Sequence, residues 1–493
     1  MRIPTMRCGE GAAGSGWFCC CLMALLAVPG VIWAAEWKIT PRVDLIETYS
    51  DNIGLAPRGR ETDDFITQIN PGVTLTGTGS RLKLNLNYTM QNLFYLKNDQ
   101  RNTIRHQLNS NATATLIEDK LFVDGGISIR QQPTTLTGAT SFDNLSLINN
   151  RTNVTTYRIS PYLIHAFDSF AVSELRYGYN KVDFGTSGFD SESNLYSARL
   201  SSGPRFNRVP WGLSYNQTMI HYDGSRVPDT KFEVVTGQLS YVISRKFSVF
   251  GNGGYEDNDY SFATNRQRPS GPFWNVGATW APTSRTSLRV SYGKRFFGNN
   301  YSLNLTHRTR HSTWQASYLE DTVTMRQLFF EQRFGLVFID PITLRPTTDT
   351  QTGIPIPFEF NVPFLTNDVF IRKRWQGSVG YKLKRNDLSL TLFDEHREFQ
   401  NRPETQDVRG GQATWGLQFA PSTKLVIGGG LQHLDLPFQG RKDDIWNLTA
   451  SVIRNLQPNL TGAIEYRYLM RDSNASNAEY RENRITARIG MTF

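Results

Sequence analysis

The sequence predicts an all-β fold, a transmembrane antiparallel β-barrel of about 22 strands, with roughly 20 to 24 as the range its punctuation allows. Three observations lead there. Apolar and polar residues alternate with a period of two from Trp37 onward, and no window of helical length sustains a 3.6-residue period. Tight reversals alternate with long polar connections. With 39% apolar residues, 12% aromatics and a mean hydropathy of −0.41, a stack of membrane helices is excluded, whereas a barrel hides its apolar residues by alternation.

The strand signal is clearest in "LKLNLNYTM", where Leu82, Leu84, Leu86, Tyr88 and Met90 share one face and Lys83, Asn85, Asn87 and Thr89 the other. "LTGAIEYRYLM", "SLRVSYG", "YSLNLTH", "WNLTASV" and "DLSLTLF" repeat the pattern. A soluble sandwich or propeller would not carry an apolar face on nearly every strand without repeat signatures.

Short reversals of Gly, Pro, Asp and Ser type fall near residues 80, 119, 168, 245, 283, 310, 385, 422 and 457. Longer polar stretches intervene, including "DNIGLAPRGRETDD", "KNDQRN", residues 133–152, "SFATNRQRPSGP" and "RDSNASNAEY". Short periplasmic turns and long extracellular loops are the pattern of a bacterial outer-membrane barrel with both termini on the periplasmic side. The longest connection, 321–368, contains "LFFEQRFGLVFIDP" and "PIPFEFNVPF" and is too apolar to lie free in water. It is expected to constrict the lumen or act as a lid; strands extended above the membrane and a partner contact are the alternatives.

Residues 1–35 read as a cleaved signal peptide: Arg2 and Arg7, an apolar run from about Trp17 to Val28, then small residues at Ala34 and Ala35. Residues 36–493 would then form the barrel as a single domain. All four cysteines (Cys8, Cys19, Cys20, Cys21) lie in the presegment, so the processed chain holds no disulfide, thiolate nucleophile or zinc–thiolate site. Trp17 and Phe18 stand where a lipoprotein signal wants small residues. The formal charge is +9, but basic residues are scattered singly, so no nucleic-acid partner is expected.

No catalytic, cofactor-binding or metal site is expected, and the chain is not read as an enzyme. Its seven histidines (His106, His165, His221, His307, His311, His396, His433) are dispersed over different strands; only His307 and His311 are close, and they flank a turn. The acidic clusters Glu61, Asp63, Asp64 and Glu256, Asp257, Asp259 lack regular calcium-ligand spacing, and "RGGQATWG" and "IGGGLQ" lack the elements of a phosphate loop.

Strand parity places Lys83, Glu174, Arg176, Arg289, Arg374, Lys382, Glu465, Arg467 and Arg488 on the inward face. Either they satisfy one another in a wet lumen or they suit a polar, anionic solute such as a uronate- or phosphate-bearing polysaccharide. Trp37, Phe94, Tyr95, Trp211, Trp274, Trp280, Trp314, Trp375, Trp415 and Trp446 fall near strand ends or outward, as interface girdles require. At the C-terminus, Ile489, Met491 and Phe493 share the lipid-facing side and resemble the signal read by the outer-membrane barrel assembly machinery.

"TYSDNIGL" and "DFITQINPGV", with the closing "AIEYRYLMRDSNASNAEYRENRITARIGMTF", resemble the PEP-CTERM system-associated outer-membrane protein family over nearly the whole processed chain. The resemblance implies a barrel in bacteria that pair exosortase sorting with exopolysaccharide production, and it assigns no catalytic residues. The expected function is a pore or secretion conduit linked to exopolysaccharide export or surface assembly. Its expected partners are outer-membrane lipid, the assembly machinery and periplasmic polysaccharide-export components. A scaffolding barrel sheathing a periplasmic electron-transfer protein is the alternative.

Overall fold

The computed structural model describes residues 35–141, 143–185, 190–224, 228–262, 268–328, 330 and 366–493. Among them, 22 antiparallel strands form one sheet, each strand paired with its chain neighbours. The first strand, β1 (Ala35–Ser50), pairs with the last, β22 (Tyr480–Thr492), from Arg42 opposite Thr492 to Ser50 opposite Arg484, which closes the barrel and leaves no free edge. β1 begins at the final residue of the segment read as a signal peptide; the rest of that segment, residues 1–34, lies outside the described residues.

Alternation along each strand separates two environments. On the outside, β12 (Ser270–Thr283) presents Trp274, Val276 and Trp280, and β22 presents Ile485, Ile489 and Met491. Six residues separate Trp274 from Trp280, about 20 Å of strand, so one strand spans the apolar band between two aromatic belts. The belts are packed: Tyr292 meets Trp274 at 5.8 Å and Tyr301 at 5.2 Å, while Phe170, Phe206 and Trp211 form an edge-to-face trio at the opposite end.

The inside is polar in the middle of the barrel and apolar near the extracellular rim. β1 turns Arg42, Asp44, Thr48 and Ser50 inward, all buried. Near the rim, Phe370 on β16 (Val369–Lys382) and Phe399 on β17 (Asn386–Phe399) meet Val154, Val182 and Phe184 from β6 (Thr152–Phe167) and β7 (Ala171–Phe184) in one buried cluster. Those strands stand on different parts of the wall, and the cluster joins them through segments that enter the lumen.

The anticipated turns recur between strands, with one longer periplasmic connection, residues 203–210, which contains a 3-10 turn (Pro204–Phe206). The 321–368 connection is shorter than expected at its N-terminal end. Asp321–Thr324 complete β15 (Ser312–Thr324) by pairing with Val369–Arg372, because their alternation continues the ladder.

Candidate functional site

The seam between the first and last strands carries a row of inward ion pairs and hydrogen bonds. On β22, Arg488 donates to Asp44 Oδ1 at 2.7 Å, and Arg484 donates to Glu482 Oε1 at 2.6 Å. Ser50 also donates to Glu482, at 2.6 Å. Arg42 reaches Asn87 Oδ1 at 3.0 Å and the Thr89 hydroxyl on β3 (Leu82–Tyr95). Next to β22, β21 (Leu460–Ser473) contributes Arg467, which donates to Glu465 at 3.1 Å. Planar guanidiniums suit this role because one group can bridge two acceptors on neighbouring strands.

The residues singled out by parity are thus distributed. Arg467, Glu465 and Arg488 share the seam network. Arg176 binds Glu174 at 3.0 Å and Asp124 at 2.9 Å and lies over the Tyr162 ring at 3.8 Å. Arg374 pairs with Glu395 at 2.6 Å, and Glu395 also holds the fully buried Arg397. Arg289 stacks on Phe250 at 3.8 Å; that ring lies against Gly277, where a Cβ would come within 2.4 Å of it. Lys83, opposite Thr113 and Thr78, and Lys382, opposite Asp387, are exposed toward the periplasmic turns, away from the others. Parity missed Arg42, Asp44, Glu482 and Arg484, although extending the "RITARIG" alternation two residues back reaches Arg484. It had no means of finding Asp143.

Asp143 belongs to the connection 133–152, expected as an outer loop, whose described residues up to 151 instead fold into the lumen. Its carboxylate accepts from Arg467 at 2.6 Å and from Arg484, two guanidiniums more than 300 residues away. Burial would push the carboxyl up, but Arg484 and Arg467 hold it well below the usual range. Around this contact, Arg484 also donates to Ser146 at 3.0 Å, and Leu145 packs with Ile53, Ile66, Leu93 and Tyr95. Further along, Tyr480 donates to Thr140 O at 3.0 Å, Arg471 to Gly138 O at 2.6 Å, and Arg441 to Thr137 O at 2.8 Å. Leu136 ends the crossing by packing against both Phe393–Val408–Leu434 and the Phe370–Phe399 cluster. The segment spans the lumen because its carbonyls and one acid are met by arginines, which removes the cost of burying loop backbone. A cavity of about 180 Å³ remains beneath it, lined by Gln68, Gln91, Asn144, Glu465, Arg467 and Thr486, among others.

The connection after β15 also turns inward. Thr324 and Gln327 cap each other, Gln327 N donating to Thr324 Oγ1 at 3.2 Å and Thr324 N to Gln327 Oε1 at 2.8 Å, which starts a helical turn at Met325. Met325 and Leu328 enter the Phe370–Phe399 cluster. Arg326 extends to the opposite wall and donates to Ser191 Oγ at 2.8 Å, Ser193 Oγ at 2.7 Å and Asn180 O at 2.7 Å. Burial lowers its pKa to about 10, where it stays charged at neutral pH. Residues 331–365, the bulk of the connection expected to constrict the pore, lie outside the described residues.

Three of the six outer-loop acids have basic partners: Asp63 with Lys97 at 2.7 Å, Glu256 with Arg295 at 2.6 Å, and Asp257 with Lys231 at 3.4 Å. His221, His396 and His433 each pair with an aspartate at 2.7 Å on separate strand pairs.

The chain matches no protein-family model and no curated protein. Among solved structures, the siderophore receptor PirA of Acinetobacter baumannii aligns at a TM-score of 0.51 and 9% identity, covering 92% of this chain and 80% of that one. The FrpB iron transporter of Neisseria meningitidis (F5-1 variant) aligns at 0.49 and 8% identity, covering 93% and 82%. OccK2 of Pseudomonas aeruginosa aligns at 0.37 and 9%, covering 94% and 99%. The chain is a closed 22-stranded antiparallel barrel with the fold of bacterial outer-membrane barrels.

Proposed function

We propose that the chain is a non-enzymatic conduit of the bacterial outer membrane, exported by a cleaved signal peptide, whose opening is set by the inward segment 133–151. The observation that carries this reading is the salt bridge of Asp143 to Arg467 and Arg484 across the lumen. A barrel of this width would leak small solutes if empty, and a segment latched by charge narrows it without filling it. The cargo proposed is exopolysaccharide, handed over by periplasmic export components; the resemblance of "TYSDNIGL" and "DFITQINPGV" to the PEP-CTERM-associated family supports that context.

Planar-bilayer recording of the refolded barrel tests the conduit. Small, discrete conductance steps are expected from the wild-type chain, and steps several-fold larger after replacing residues 136–148 with a short Gly/Ser linker. Silent bilayers from both proteins, each shown to be folded by its heat-modifiable gel mobility, would sink the reading.

A further inference from the structure

The turn carrying Asp143 stands between two arginine walls that differ in their pairing. On the seam side, Arg467 and Arg484 each have a strand carboxylate as well as Asp143. On the other side stand Arg105, on β4 (Thr103–Ile117), and Arg151, at the end of the inward segment. Arg105 lies opposite Gln91, whose Oε1 accepts from Asn144, the residue after Asp143, at 2.8 Å. Arg151 donates through Nη2 to Ser141 O at 3.0 Å, and the Ser141 hydroxyl donates to Asp143 at 3.2 Å. Both guanidiniums therefore flank the tip of the segment. Neither forms an ion pair with a carboxylate among the described residues, although the Asp143 charge acts on both from across the turn, and Arg151 Nη1 is buried without a hydrogen-bond partner.

Two like charges beside one another, one with a buried unsatisfied N–H, form a costly arrangement that an anion would relieve. We infer that Arg105 and Arg151 form an anion-binding subsite at the constriction, for a carboxylate or phosphate group carried by the transported solute. The inference deepens the conduit reading and rests on it: the barrel passes anions, and an acidic polymer would be handled one charged group at a time as it crosses the tip of the segment. Elsewhere in the lumen, Arg176, Arg374, Arg467, Arg484 and Arg488 already face carboxylates, Arg289 is stacked on Phe250, and Arg326 is held by two hydroxyls and a carbonyl.

Isothermal calorimetry on the detergent-folded barrel, with glucuronate and inorganic phosphate as probes and glucose as neutral control, reads the subsite without requiring conduction. Saturable heats are expected for both anions and none for glucose. Arg105→Gln, which breaks no side-chain hydrogen bond among the described residues, is expected to weaken anion binding about tenfold, whereas Arg105→Lys retains most of it. The same variants are then placed in bilayers under a KCl gradient. Arg105→Gln is expected to reduce the chloride-over-potassium preference at least twofold, with the conductance steps still present. Absent or glucose-equal heats, or Arg105→Gln binding identical to wild type in a folded barrel, would overturn the subsite while leaving the conduit standing. Anion heats that Arg105→Gln removes, alongside silent bilayers, would uphold the subsite and refute the conduit.

Discussion

Segment 133–151 enters the lumen with one acidic side chain and is met by arginines; the turn at 325–328 enters with one guanidinium and is met by hydroxyls, a carbonyl and an apolar cluster. The first is a charge latch. Its grip is concentrated at Asp143, and neutralising that group leaves arginines that are already out of water. The second is a packed plug, in which Met325, at 0% exposure, and Leu328 supply dispersion and burial, and Arg326 serves as a tether satisfied by neutral acceptors. A latch can be released by one substitution or by a competing anion; a plug yields only to loss of volume. The polar segment is therefore the element suited to movement, and the apolar one the element suited to hold the extracellular half in shape.

The largest effect that would break this contrast is expected from Asp143→Asn. It removes the counter-charge from Arg484, which is 2% exposed, at a cost of about 3 kcal/mol, near the low end for a buried pair because Glu482 remains beside Arg484. Larger and more frequent conductance steps are expected, because the cost falls on the closed position of the segment and is relieved when it swings out and the arginines are hydrated, so the melting of the barrel wall shifts little; unchanged steps would show that Asp143 is not the latch. Met325→Ala should do the reverse. The cavity it leaves costs at least about 2 kcal/mol, read as earlier thermal unfolding, with step size unchanged.

Tyr480→Phe, which deletes the bond to Thr140 O, should loosen the segment by about 1 kcal/mol, visible as faster hydrogen exchange at residues 139–141. The smallest effect is that of pH. The Asp143 carboxyl is depressed in the folded chain, so the stability it contributes is present above the unfolded value of about 3.9 and is lost only as pH falls through the lower folded value. Between pH 8 and pH 5 the closed fraction should stay constant. A latch that opened near pH 6 would point to a titrating group other than Asp143.

Much of the barrel was legible in the chain because a two-residue period has only two faces. The same alternation that puts Ile489 and Met491 outward puts Arg488 inward, and no knowledge of neighbours is needed to read it. Turn lengths were legible for a similar local reason, since Gly, Pro, Asp and Ser encode reversals within a few residues. Residues 203–210 escaped because their turn is longer and rich in Arg, Asn and Pro.

The constriction was not legible. Residues 133–151 are rich in Ser, Thr, Asn and Leu, with one Asp and one Arg, a composition suited to a solvated loop. Locally, Asp143 is indistinguishable from any loop aspartate. Its role depends on Arg467 and Arg484 arriving from strands more than 300 positions later, which happens only after β22 has closed on β1. The sequence by itself determined that strands form, which face each side chain takes, and that the barrel closes, because these follow from period and turn chemistry. Only the tertiary structure decided that residues 133–151 enter the lumen, because that placement depends on buried charges and carbonyls finding partners across a space that exists once the wall is complete.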